Sequence, residues 1–162
     1  IADWGNGKVV FPSSSEVEEY KLKELFEQDA KSNNGERTYF QWDASLGREV
    51  CISNTANADI GVTFPYCGIA ETATVVQASD VESGRAISLL PDTHIAVVYT
   101  DSIRPRMTQT MEHLQERYDA DPSAFPSNIC LISGPSRTAD IELVRVDGAH
   151  GPIQCTYILV DR

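Results

Sequence analysis

The sequence predicts an α/β protein, a three-layer α/β/α sandwich on a mixed, mostly parallel sheet. Two amphipathic helix patterns and a set of short apolar strands around them carry the expectation. A third sign is the run His94–Thr100, HIAVVYT, which shows no strict polar alternation. A strand wetted on one face alternates, and one covered on both faces does not, so helices should cover this sheet. Residues 50–100 are too strand-dense for simple alternation of strand and helix. An antiparallel hairpin inserted into a mixed sheet is therefore expected, with ligands bound where the strands end.

Taken along the chain, Lys8 to Phe11 reads as a short strand. Ser15-Glu16-Val17-Glu18 fits a capping box, with Ser15 as N-cap and Glu18 as the third helical residue. The helix it opens should run to about Ala30 and turn Val17, Leu22, Leu25 and Phe26 toward a core. Residues 32–36, SNNGE, form a turn. EVCIS, DIGVTF, ETATVVQ, AISLL and HIAVVYT then read as strands, separated by NTANA, SDVESG and PDT. A second helix should start at about Pro105, carry Met107, Met111, Leu114 and Tyr118 on one stripe, and end before Asp121-Pro122. NICLIS is a strand, Gly134-Pro135-Ser136 a sharp turn, Thr138 to Val144 a short helix and IQCTYILV a closing strand. No repeat or linker divides the 162 residues, so one domain is expected.

Composition narrows the class. Thirteen basic against twenty-four acidic residues give a formal charge of -11, which repels a phosphate backbone and argues against nucleic acid. No apolar run approaches the roughly 20 residues that a membrane helix needs. Cys51, Cys67, Cys130 and Cys155 form no CxxC pair and lie in strand-like runs, so reduced core thiols in a cytosolic protein are expected. His94, His113 and His150 are dispersed, without HxH or HExxH, and no metal site is expected. The chain starts with Ile1 and lacks the basic and apolar parts of a signal peptide, the look of a fragment of something longer.

Three features suggest chemistry. Glu71 falls in YCGIAETATVV, where an extended backbone from 69 to 77 would put its carboxylate on the apolar face beside Ile69, Ala73 and Val75. A charge there needs donors or a cation, so Glu71 should either face a polar site at the strand mouth or anchor a buried network. In ISGPSRTADIE a strand passes through a small-residue turn toward a helix start. Ser133, Gly134, Ser136, Arg137 and Thr138 could cradle a carboxylate or phosphate there, or simply cap the helix. His150, in the turn GAHGP, is placed to act as acid or base or to bond a ligand, or to pack against a neighbouring loop.

The segments GVTFPYCGIAETATVV, GRAISLLPDTHIAVV and ISGPSRTADIELVRVDGAHGP together resemble the lactate-utilization LUD-domain family, in order and spacing as well as in wording. The resemblance covers Asn57 to Val160; residues 1–50 resemble the family loosely, and members usually carry a further N-terminal segment. It implies a sugar-phosphate isomerase and CoA-transferase-like α/β/α fold. It also implies a cytosolic three-protein system that oxidises L-lactate to pyruvate, with iron–sulfur clusters in companion proteins and none in this chain. Matching positions are Glu71, Thr72, Ser133 to Thr138, Asp140, His150 and Gly151. The expectation is one cleft in which Arg137 and the turn amides hold a small carboxylate or phosphate, while Glu71 or His150 supplies a hydrogen bond or proton. Alternatives are an independent CoA-transferase or isomerase-like enzyme using Glu71, or a non-enzymatic interaction module. Members commonly read ETGT where this chain has Glu71-Thr72-Ala73-Thr74, and Ala tolerates a positive φ less well than Gly.

Overall fold

The computed structural model describes residues 7–139 and 145–162. Its centre is a five-stranded sheet of β1 (Gly7–Phe11), β2 (Arg37–Gln41), β3 (Ile60–Thr63), β6 (Thr93–Tyr99) and β11 (Gln154–Val160). The strand order is β11-β6-β3-β1-β2, and every neighbouring pair is parallel. Parallel neighbours need crossovers, and the chain supplies them on both faces. Helices α1 (Ser15–Glu19) and α2 (Leu22–Ser32) link β1 to β2, while α3 (Arg48–Ala56) links β2 back across β1 to β3. Val9, Phe11, Ile60, Val62 and Ile95 pack under the first pair, and Val10 packs with Cys51 of α3 and Ile87 on the other face.

A second sheet forms from β4 (Cys67–Ile69), β5 (Thr74–Ser79), β7 (Ile103–Arg104) and β8 (Asn128–Ile132), in the order β7-β4-β5-β8. It holds the expected antiparallel hairpin, β4 with β5, and an antiparallel β5–β8 pair. This sheet, and not a helix, covers β6 on one face, where Val75 meets Ala96 and Val98. Helix α4 (Met107–Ala120) lies on its far side through Leu114, against Cys67, Ile69 and Val76. The fold is thus α/β with a mostly parallel centre. A β layer takes part of the place expected for helices.

Local departures have local causes. EVCIS is helical, not extended: Cys51 and Thr55 are the buried pair at helical spacing. Asn54, Thr55 and Asn57 bond back to the carbonyls of Val50, Cys51 and Ser53, so much of the NTANA separator completes the helix. AISLL is a 3₁₀ turn, Arg85–Ser88, whose Ile87 carbonyl sits so close to Gly61 that a Cβ would collide with it. The first helix breaks at Lys21, which has φ 52°, and Ser14 takes the N-cap position in place of Ser15. Leu25 is then half exposed. In α4 the buried residues are Thr110 and Leu114, and Met107, Met111 and Tyr118 face outward, because a helix on so small a sheet buries only a narrow stripe. Residues 137–138 are a strand, β9 (Arg137–Thr138), paired antiparallel with β10 (Val146–Asp147). The expected helix from Thr138 therefore does not start there, and residues 140–144, Asp140 among them, lie outside the described ones.

Candidate functional site

The two sheets face each other across β6 and β11, and the serine-rich turn leaves the end of β8 at their junction. Thr72 Oγ1 lies 2.6 Å from Thr74 Oγ1, which lies 2.6 Å from Ser133 Oγ. Three hydroxyls joined by two bonds spend two protons, so one O–H of the three remains to be donated elsewhere. Beside them the amide of Gly134 donates to the Tyr157 hydroxyl at 2.9 Å, and that hydroxyl in turn faces the Ile132 carbonyl at 3.4 Å. Burial pushes Tyr157 up to about 12, so it stays a neutral phenol. An open apolar cleft of about 340 Å³ adjoins this group, with Ala70, Ala73, Thr74, Tyr157 and Leu159 on its walls.

The turn continues into a second junction. The His150 amide donates to Ser136 Oγ at 3.1 Å, the Ser136 amide to Pro152, and the Gly148 amide to the Ser136 carbonyl. His150 therefore meets the serine turn through its backbone. Arg137 pairs with Asp147 at 3.4 Å, and Arg145 holds the same carboxylate with two bonds. Those bonds, Arg145 first, keep the Asp147 carboxyl below its usual range. An anion at Arg137 would have to compete with that pair.

Glu71 lies elsewhere than the strand expectation put it. Residues 70–72 form a 3₁₀ turn, and β5 starts only at Thr74. The Glu71 amide donates to Pro105, and its carboxylate, about half exposed, pairs with Arg106 at 3.4 Å. It is neither on the apolar face nor in a buried network. Among the described residues no hydrogen bond or ion pair joins it to residues 133–138 or to His150. Ala73 has φ 49° and ψ 41°, the left-handed conformation. The turn that presents Glu71 and Thr72 is thus bent at the position where family members commonly carry glycine.

Thr74, Tyr157 and Arg106 were missed in the sequence. Thr74 and Tyr157 sit in apolar strand runs, where nothing local marks which hydroxyl meets a turn 59 or 23 residues away. His94, by contrast, is fully buried, with Nε2 2.8 Å from Thr63 Oγ1 and Nδ1 3.8 Å from Cys155 Sγ. Burial lowers its pKa to about 4, so it holds three parallel strands together as a neutral imidazole. All four cysteines are free; Cys51 and Cys67 are buried, Cys130 and Cys155 half-buried. Among the described residues no three His, Cys, Asp or Glu side chains are grouped to hold a metal ion, and no helix is long and apolar enough to cross a membrane.

A mostly parallel sheet joined to a hairpin-built second sheet, with the GPSRT and AHGP turns meeting through Ser136 and His150, is the arrangement of this chain. Residues 4–160 match the LUD domain, and the chain belongs to that family. Among its relatives, lactate utilization protein C of Bacillus subtilis (strain 168) is 41% identical over 160 residues, 99% of this chain and 65% of that protein. Lactate utilization protein C of Geobacillus thermodenitrificans (strain NG80-2) is 38% identical over the same share of each. The chain thus spans about 65% of the length of these curated relatives. The crystal structure of a DUF162 family protein from Deinococcus radiodurans aligns with a TM-score of 0.50 at 20% identity, over 99% of this chain and 91% of that one. That likeness concerns the fold.

Proposed function

We propose that this protein is a subunit of a lactate-utilization system that oxidises L-lactate to pyruvate together with iron–sulfur partner proteins, and that it binds ligand or partner in that system. The observation that carries the reading is its likeness, over 99% of its length, to proteins named lactate utilization protein C. The electron-carrying clusters would reside in the partners. The candidate contacts in this chain are the Thr72–Thr74–Ser133 hydroxyls, the Ser136–His150 junction with Gly134, Arg137 and Thr138 around it, and the exposed Glu71–Arg106 pair. An exposed carboxylate already paired with arginine suits a polar contact with a partner.

Deleting the gene in its host should abolish growth on L-lactate while sparing growth on pyruvate, and the tagged protein should co-purify with iron–sulfur proteins. Normal growth of the deletion strain on L-lactate would overturn the reading. Glu71→Ala, folded but unable to restore growth, would assign the turn a direct role.

A further inference from the structure

The strand order β11-β6-β3-β1-β2 reverses direction between β1 and β3. From β1 the chain crosses outward to β2 over one face, then returns over the other face to β3 and runs on through β6 to β11. In open parallel sheets the loops after two such strands diverge to opposite faces, which leaves a crevice at their carboxyl ends. This protein has a cleft of about 360 Å³ at that place. Pro12 and Ser14, just past β1, and Phe64, just past β3, line it. Tyr99, the last residue of β6, and Arg162, beyond β11, close one side. None of the Glu71, Ser133–Thr138 or His150 positions belongs to it.

The cleft holds unspent hydrogen-bonding groups. Gln77 Oε1, Tyr99 Oη and Ser14 Oγ are buried without a hydrogen-bond partner among the described residues, and all three residues line this cleft. Gln77 is 3% exposed and Tyr99 7%. A buried polar atom left unpaired is costly, and such atoms are rare in native proteins unless something else meets them. The Gln77 amide nitrogen is already committed to the Ala78 carbonyl and Ser83 Oγ, so the group offered to the cleft is the acceptor oxygen. Burial and, next, the neighbouring Tyr20 hydroxyl raise the Tyr99 phenol, which keeps its proton; a ligand would share that hydroxyl with Tyr20.

The same cleft carries cations. The guanidinium of Arg117 sits 4.7 Å above the Tyr66 ring, and that of Arg162 4.7 Å above the Tyr99 ring. Arg162 is bound by Glu19, whereas no carboxylate within ion-pair distance of Arg117 is found among the described residues. Of the carboxylates on the rim, Asp80 accepts the amides of Glu82 and Ser83; Glu16 and Glu82 complete it. A positioned guanidinium, a donor phenol and an acceptor amide oxygen together fit a molecule with an anionic group at one end and hydroxyl hydrogens at the other.

We infer that the crevice at the carboxyl ends of β1, β3 and β6 is a binding site for a small hydroxylated anion. Arg117 takes its carboxylate or phosphate, Gln77 Oε1 accepts from a hydroxyl, and Tyr99 donates to a remaining oxygen. Two sources share this chemistry, a 2-hydroxy acid and a sugar phosphate. The site does not rest on the lactate reading, though that reading would select the first source.

Calorimetric titration and thermal shift of the purified protein with L-lactate and with ribose 5-phosphate test it. Binding of either, weakened about tenfold or more in each of Arg117→Gln, Gln77→Met and Tyr99→Phe, supports the site, and the probe that binds names the source. Tyr99→Phe and Gln77→Met separate a ligand role from a structural one. Each removes an unpaired buried atom, so a purely structural role predicts unchanged or raised stability with unchanged binding. Arg117 is exposed on α4, so its replacement leaves the fold intact. Failure of the folded protein to bind either probe, or equal binding by all three variants, overturns the site. Failure here with growth on lactate still dependent on the gene leaves the proposed function standing. Binding of ribose 5-phosphate alone supports the site and counts against the lactate reading.

Discussion

The inner strands of the parallel sheet and the edge strand β8 of the second sheet are buried to different depths. In β1 and β3, Val9, Val10, Ile60 and Val62 are at most 4% exposed, whereas every residue of β8 is half-buried or exposed. The parallel sheet has α1 and α2 on one face and α3 with the second sheet on the other, so the apolar residues of its inner strands are buried. The second sheet has α4 on one side and an open cleft on part of the other. The division of labour follows from desolvation. A polar group among the deep strands costs least when it is paired, as His94 is with Thr63, whereas the unpaired Tyr99 hydroxyl lies at the carboxyl end of β6 beside a cleft.

The contrast is tested most severely by truncation. Ile95, 1% exposed in β6, should cost about 3–4 kcal/mol on replacement by alanine, since both the burial and the cavity count against it. Ile132 at the end of β8 is only half-buried, and its alanine variant should cost about 1 kcal/mol. Urea unfolding of the two variants measures the difference; equal losses would mean that the second sheet is as much a core as the first.

Acid should weaken the deep sheet first. His94 is held neutral, with its pKa lowered from 6.5 to about 4, so below 6.5 the unfolded chain binds a proton that the folded protein refuses. The stability it contributes is complete above pH 6.5 and is lost as pH falls from 6.5 to about 4, an effect of about 3 kcal/mol. Asp29 behaves differently. Hydrogen bonds from Tyr39 and then Arg37 hold its carboxyl below 3.8, so its loss begins only where the His94 window ends. Urea midpoints at pH 7 and 4.5, with His94→Gln flattening the difference, check the assignment; a flat wild-type profile would contradict it.

Much of the deep sheet was legible in the sequence, because β1, β3, β6 and β11 are apolar runs whose pattern survives without knowledge of their neighbours. Strand β2 is not marked by its sequence: RTYFQ is an edge strand with a polar half and, among the described residues, pairs with β1 alone. EVCIS misled because its β-branched residues favour a strand, while the contacts that make it a helix involve the asparagines and threonine that follow. The site was legible as turns but not as geometry. The words around Ser133 and His150 marked two loops that the Ser136–His150 junction joins. Gln77 and Tyr99 left no local signal, since a strand pattern says which residues are buried and not which buried atom lacks a partner.

A smaller effect is expected where the two sheets meet. Thr74→Val keeps the shape of a side chain 3% exposed and removes the middle hydroxyl of the Thr72–Thr74–Ser133 chain. Its two former partners are exposed and can turn to water, so the cost should be about 1 kcal/mol by urea unfolding. A loss near that of Ile95→Ala would instead make the hydroxyl chain a structural pillar.

The smallest expected change is a gain. Ala73 is held at φ 49°, a conformation that costs a residue with a Cβ roughly 1–2 kcal/mol, while glycine adopts it freely. Glycine also loses more freedom on folding, roughly 0.5–1 kcal/mol, so Ala73→Gly should stabilise the protein by about 0.5–1 kcal/mol net. The gain should appear as slower unfolding or a slightly raised midpoint, with the Glu71–Arg106 pair and the Thr72–Thr74 bond kept. A destabilised Ala73→Gly variant would mean that the alanine methyl, on the wall of the open cleft, packs well enough to offset its backbone strain. Either sign sharpens the comparison, because at the buried Ala96 of β6 an alanine-to-glycine change would lose both a packed methyl and chain entropy, and at Ala73 relief of strain opposes entropy at one residue.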